Sequence, residues 1–237
     1  MIKIMNKPAL HRWDLPPAEA ERLQSELATR LRLTWEGRAV TSVGGVDVSV
    51  RGALARCAIV VLRYPNLAPL VSAVAEVPLA FPYIPGLLSF REGPAVLAAW
   101  EKLSLLPDLL LFDGQGIAHP RHLGIAAQMG LWLERPTIGV AKSRLYGRHE
   151  MPGPQRGDCA PLFDEHDPTQ VIGMVVRTRP GVKPVYVSPG HLIDLPHAVE
   201  FVLACCAGYR LPEPTRLAHH VAGGGSLSVG EWQPRLF

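Results

Sequence analysis

Asp47 stands in the run Val46-Asp47-Val48-Ser49-Val50, where alternation puts the three valines on one face and Asp47 with Ser49 on the other. A mid-strand carboxylate buried without a partner costs roughly several kcal/mol, the effective penalty of desolvating an ion. It is therefore either a solvated residue of an edge strand or a group held in place for chemistry. Asp113 closes the unbroken apolar run Leu109 to Phe112 and precedes Gly114-Gln115-Gly116. It falls at the carboxyl end of a strand buried on both faces, where ligands gather in open α/β sheets, although an Asp-Gly turn would also account for it. Lys142 follows Thr137 to Ala141 and reads either as a second strand-end group or as a solvated loop lysine. Glu92 precedes Pro94, where a carboxylate would suit a helix start as a simple charge. His219 sits on the last helical pattern, where it could equally be a surface histidine. Together Asp47, Glu92, Asp113 and His219 supply hard oxygen ligands and one nitrogen, a donor set for Mg²⁺ or Mn²⁺. Two such ions about 3.5–4 Å apart can activate a water and stabilise the leaving oxygen of a phosphodiester. The Gly114-x-Gly116 pair is not a phosphate-binding P-loop, because no Gly-Lys-Ser/Thr follows it.

The elements that must position these groups are legible in outline. Asp14, Pro16 and Pro17 signal a helix start, and Ala20, Leu23, Leu27 and Leu31 recur behind them at helical spacing. Val43 to Val50, Cys57 to Tyr64 and Leu70 to Val77 read as a three-strand meander joined by turns at Arg51-Gly52 and Pro65-Asn66. A helix is expected to start at Pro94, with Val96, Leu97, Trp100 and Leu103 as its apolar stripe. Further strands are expected at Leu109 to Phe112, Thr137 to Ala141, Val171 to Arg177 and Pro184 to Val187. Helices are expected at about His122 to Leu133, near Pro196 to Ala207, and over Glu213 to Val221. Gly147 to Thr169, rich in Pro, Gly and Asp, reads as a surface excursion. Three antiparallel strands followed by alternating helices and strands describe a mixed sheet with helices on its faces. Ribonuclease H-like folds use that order, and other mixed α/β folds fit the periodicity too.

Composition sets bounds. Of 237 residues 48% are hydrophobic and 19% charged, which excludes disorder and allows a sizeable core. No apolar stretch is long enough for a membrane span, and the N-terminus carries no apolar signal core, so a cytoplasmic protein is expected. Lys and Arg total 24 against 21 Asp and Glu, a net of +3 that permits a basic groove without demanding one. Cys57, Cys159, Cys205 and Cys206 have no CxxC spacing and are expected to be reduced and mostly buried.

Five segments then carry a resemblance. GGVDVSV (Gly44 to Val50), PYIPGLLSFRE (Pro82 to Glu92), DGQGIAHPR (Asp113 to Arg121), IGVAKSRL (Ile138 to Leu145) and RLPEPTRLAH (Arg210 to His219) resemble, in this order, endonuclease V, the deoxyinosine endonuclease family. The resemblance implies an α/β, ribonuclease H-like mixed sheet flanked by helices; one domain spanning 1–237 is expected, and the Gly223-Gly224-Gly225 run reads as a mobile tail from about residue 223. It implies dependence on Mg²⁺, with Mn²⁺ as a substitute. The implied activity is hydrolysis of the second phosphodiester 3′ to a deoxyinosine, leaving 3′-hydroxyl and 5′-phosphate. By motif, Asp47, Glu92 and Asp113 take the metal-binding roles, His219 an outer fourth position, and Lys142 the scissile phosphate. Tyr83, with Pro82, Ile84, Pro85 and Gly86, takes the place of the strand-separating wedge. Leu88, Gly114, Gly116, Ile125, Gly139 and Leu145 are implied to line the base pocket, and His119 to belong to the substrate-binding set. Backbone amides of Gly114, Gly116 and Ile125 are expected to read the six-position carbonyl of hypoxanthine. The physics agrees, because a base read outside the stack must be flipped, and an aromatic or prolyl wedge can fill the gap it leaves.

Implied partners are DNA with deoxyinosine or other deaminated bases, with inosine-containing RNA as the alternative substrate; the chain is expected to be a monomer. The alternatives are an inosine-specific or junction-specific nuclease of the same fold, a binding module with a dead site, and a sugar-kinase-like phosphotransferase. The dead site is disfavoured by the presence of all three carboxylates, and the phosphotransferase by a length that hardly allows a second half-domain.

Overall fold

The computed structural model describes residues 9–227. Helix α1 (Pro17–Ala28) precedes an antiparallel meander of β1 (Ser42–Arg51), β2 (Leu54–Arg63) and β3 (Pro69–Pro78). There follow α2 (Leu88–Glu101), β4 (Leu109–Phe112), α3 (Ile125–Leu133), β5 (Thr137–Ala141), β6 (Cys159–Phe163), β7 (Val171–Val176), β8 (Val185–His191), α4 (Leu195–Ala204) and α5 (Glu213–Ala222). All eight strands form one sheet in the order β3-β2-β1-β4-β5-β8-β7-β6. The strands β1, β4 and β5 run parallel, and the others pair antiparallel.

The central strands divide two cores by parity. Val43, Leu109, Leu111, Ile138 and Val140 pack with Val202, Leu217 and Val221, on the face covered by α4 and α5. Val46, Ile59, Leu110 and Phe112 pack with Val96, Trp100 and Met129, on the face covered by α2 and α3. This is why Leu109 to Phe112 is apolar without a break: each successive side chain enters a different core.

Four expectations are corrected. Pro94 lies inside α2, which starts six residues earlier at Leu88. Phe90 packs with Phe81, Leu87 and Ala20, and this burial extends the helix through a residue that usually stops one. Helix α3 starts at Ile125 and not near His122, because His122 has φ 51°, a left-handed conformation that no helix start accepts. The excursion over 147–169 contains a strand, β6, which ends the sheet as its edge; Pro161 obscured it, and edges are where strands tolerate proline. Cys159 is exposed, while Cys57 and Cys205 are buried as expected, and all four thiols are free. No helix among the described residues is long and apolar enough to cross a membrane. The mobile tail expected from about residue 223 lies, beyond residue 227, outside the described residues; Gly223 itself is bonded through its N–H to the His219 carbonyl.

Candidate active site

Register brings the two aspartates together. Val46 on β1 is level with Phe112 on β4, and the Asp113 N–H donates to the Val46 carbonyl at 3.1 Å. Asp47 and Asp113 are thus the next residues along neighbouring strands, and both share the parity of Val43 and Leu111, toward α5. Helix α5 lies against β1 so closely that a Cβ at Gly45 would come within 1.9 Å of the Pro214 carbonyl oxygen. One helical stretch further on, His219 Nδ1 comes within 3.2 Å of Asp47 Oδ2. Lys142, just beyond β5, places Nζ 2.5 Å from Asp113 Oδ2. Glu92 approaches from α2; it is half-buried in mid-helix, so the reading of Glu92 as a helix-start charge fails.

Burial and the adjacent Asp113 push the Asp47 carboxyl up to about 6, despite the opposing His219 and Lys142. Burial together with the Asp47 and Asp113 charges pushes Glu92 up to about 8. Three carboxylates crowded so that two resist ionisation form a site short of positive charge. One ligand atom each from Asp47, Asp113 and His219 lie within 4.8 Å of one another. Two carboxylate oxygens, an imidazole nitrogen and a third carboxylate alongside fit a hard divalent cation with room for water.

The raised values carry a sign. A carboxyl whose folded pKa exceeds its unfolded value of about 4 lowers stability as pH rises, because the unfolded chain gives up its proton first. That penalty is absent below about pH 4 and complete above about pH 8, the window set by Asp47 and Glu92. A cation competing with those protons should relieve it. Mg²⁺ is therefore expected to raise the thermal midpoint of chelator-treated protein more at pH 8 than at pH 5. An increment equal at both pH values, or larger at pH 5, would contradict a carboxylate-held cation.

Beside the acid cluster lies a cavity of about 110 Å³. Tyr83, Ile84, Pro85, Gly86, Leu88, His119, Ile125 and Leu145 line it, together with four residues that sequence reasoning missed: Gln24, Ser89, Gln115 and Gly124. Tyr83 is 69% exposed at its rim. The preceding Pro82, expected in the same set, is exposed and lies outside the lining. Gly114, Gly116 and Gly139 are not among the residues that line this cavity. A Cβ at Gly139 would sit 2.2 Å from the Gly116 nitrogen, one at Gly116 2.1 Å from the Pro189 oxygen, and one at Gly114 2.6 Å from Ile125 Cγ2. The Gly116 N–H, expected to read the base, already donates to Ser188 Oγ at 2.8 Å.

His119 holds the Tyr83–Gly86 loop. Burial lowers its pKa to about 4, so at neutral pH it is uncharged. Its Nδ1 accepts from the Arg121 N–H, which leaves the proton on Nε2 to donate to the Gly86 carbonyl at 2.9 Å. Arg121 Nη2 donates to the same carbonyl at 3.0 Å while its Nε donates to Gln24 Oε1 at 2.7 Å. Gly86 has φ 82°, the left-handed region that favours glycine.

A mixed sheet opening on an antiparallel meander, with paired aspartates on its first strand and just past its fourth, defines a nuclease of the ribonuclease H-like class. The family model described as endonuclease V matches residues 25–220, and the chain belongs to the endonuclease V family. It is 49% identical over 215 residues to the endonuclease V of Methanothrix thermoacetophila, covering 91% of this chain and 94% of that one. Endonuclease V of Streptomyces avermitilis, a solved structure, superposes with TM-score 0.84 at 42% identity, covering 90% of this chain and 93% of that one. Endonuclease V of Ciona intestinalis, solved in complex with a 24mer DNA containing an inosine followed by a ribo-adenosine, has TM-score 0.76 at 28% identity over 87% of this chain and 96% of that one.

Proposed function

We propose that this chain recognises deoxyinosine in DNA and hydrolyses the second phosphodiester 3′ to it, starting repair of deaminated adenine. The observation that carries this reading is the juxtaposition of a carboxylate cluster with a cavity rimmed by an exposed aromatic residue. The inosine-containing ligand of the Ciona relative supports the substrate class. A Mg²⁺ ion, or Mn²⁺ in its place, held by Asp47, Asp113 and Glu92 with His219 at the edge, would activate water and stabilise developing charge on phosphate oxygens. Water then attacks phosphorus, and the P–O3′ bond breaks to leave a 3′-hydroxyl and a 5′-phosphate.

The protein's own groups prepare that step. His219 holds the Asp47 carboxylate in one orientation through its 3.2 Å contact. The Lys142 ammonium, partly exposed beside Asp113, is placed to pair with an oxygen of the scissile phosphate. Leu88, Ile125 and Leu145 give the extruded base apolar walls. We place the chain in the cytoplasm as a monomer; the proposed site residues lie on one sheet, its helices and the loops between them, in keeping with a single domain.

If Tyr83 is a wedge, Tyr83→Ala weakens binding to an inosine duplex by about tenfold, the worth of one stacking contact, and single-strand binding much less. Equal losses on single and double strands, measured by titration in Ca²⁺, would make Tyr83 a packing residue. The ribo-adenosine in the Ciona ligand favours a second reading, an inosine-specific endoribonuclease. Matched DNA and RNA strands, each with one inosine, decide between them. Faster nicking of DNA is expected, and preferential cleavage of RNA would establish the second reading.

A further inference from the structure

Gln115 lines the cavity and is 8% exposed. Its Nε2 donates to the Ser143 carbonyl at 3.1 Å, and this contact settles which end of the amide is oxygen. That oxygen, Oε1, is buried and has no hydrogen-bond partner. Among the described residues the only other buried side-chain N or O atom in this state is Arg56 Nε, on β2. An orphaned buried acceptor is a standing cost that a donor entering the cavity would remove. Ile125, the first residue of α3, lines the same cavity; the Ala126 N–H of that helix start donates to the Gln115 carbonyl at 3.0 Å, whereas the Ile125 N–H has no side-chain cap and remains available as a donor.

Resting on the deoxyinosine reading above, we propose that Gln115 is a specificity-determining residue whose Oε1 accepts the N1–H of the extruded base. An acceptor beside the helix-start donor of Ile125 complements a lactam edge, in which an N1–H donor adjoins a six-position carbonyl. Adenine offers a bare N1 lone pair and an amino group instead, so both contacts turn repulsive. Guanine carries the same N1–H and carbonyl as hypoxanthine, so Gln115 cannot reject it; that task falls to the apolar walls.

The probes are oligothymidylate strands carrying one deoxyinosine, deoxyadenosine or deoxyguanosine, bound in Ca²⁺ so that no cleavage is read. Gln115→Met, similar in shape but without the amide, is expected to lower the inosine-to-adenosine affinity ratio by about tenfold, the order of one base-edge contact. Its inosine-to-guanosine ratio should not change. Gln115→Glu keeps an acceptor oxygen and should keep the inosine-to-adenosine ratio, even where losing the Ser143 contact weakens every strand alike. An unchanged inosine-to-adenosine ratio in Gln115→Met would overturn the proposal and reduce Gln115 to a brace for the Ser143 loop. A wild-type protein with no inosine preference would overturn the deoxyinosine reading and this proposal with it. The wild-type chain supplies a check that needs no variant: 1-methyl-deoxyinosine, which lacks the N1–H, should bind no better than deoxyadenosine, and binding as tight as deoxyinosine would refute the contact.

Discussion

Asp113→Asn is expected to lower nicking of an inosine-containing strand by at least about a thousandfold, while binding in Ca²⁺ changes little. A carboxylate-held cation supplies several kcal/mol of transition-state stabilisation, and each 1.36 kcal/mol is tenfold in rate. The substitution removes the charge and leaves the shape. The Asp113 backbone stays bonded to the Val46 carbonyl, and β4 stays buried on both faces, so the fold has no reason to change. Lys142 loses its 2.5 Å partner, which frees the ammonium without unseating its loop, because the Lys142 carbonyl is held by Arg210 Nη2 at 2.6 Å. Nicking near the wild-type rate in Mg²⁺ would end the metal role of Asp113.

Gly45→Ala should produce the largest loss of stability. The added Cβ would stand 1.9 Å from the Pro214 oxygen, 2.0 Å from its carbonyl carbon and 2.6 Å from the Thr215 nitrogen. All three are backbone atoms at the start of α5 and cannot swing aside as a side chain would, so strand and helix must separate. Overpacking of this kind costs about 3 kcal/mol, which lowers the thermal midpoint by about 10 °C in a chain of this size. Because α5 carries His219 to Asp47, nicking should fall along with stability. A midpoint within about 2 °C of wild type would mean that α5 does not lie against β1 as described.

What could be read beforehand divides along physical lines. The ends of β4 and β5 were legible because a carboxylate or ammonium beside an apolar run is costly to bury and marks where the run meets solvent or a ligand. Helix α2 was misplaced because proline is a strong local signal, and the packing of Phe90 that overrides it is tertiary. Strand β6 was hidden because Pro161 is tolerated only at an edge, and nothing local states which strand will be the edge. Gly116 and Gly139 belonged to the motifs, but no local pattern states that a Cβ at Gly139 would stand 2.2 Å from the Gly116 nitrogen. Gln24 carried no local signal, since its fully buried amide faces Arg121, 97 residues away. Gln115 lay within a recognised motif, yet only the missing partner at Oε1 sets it apart.

Cleavage beside deoxyinosine by the Asp47–Asp113 cluster is the reaction on which the rest depends. It is tested most directly by an end-labelled duplex with a single deoxyinosine, incubated with the protein and Mg²⁺ and resolved at single-nucleotide length. The expected result is one nick at the second phosphodiester 3′ to the deoxyinosine, ending in a 3′-hydroxyl and a 5′-phosphate, abolished by chelator and absent from the matched adenosine duplex. Equal cutting of the adenosine duplex, cutting that survives chelation, or a nick elsewhere on the strand would contradict it.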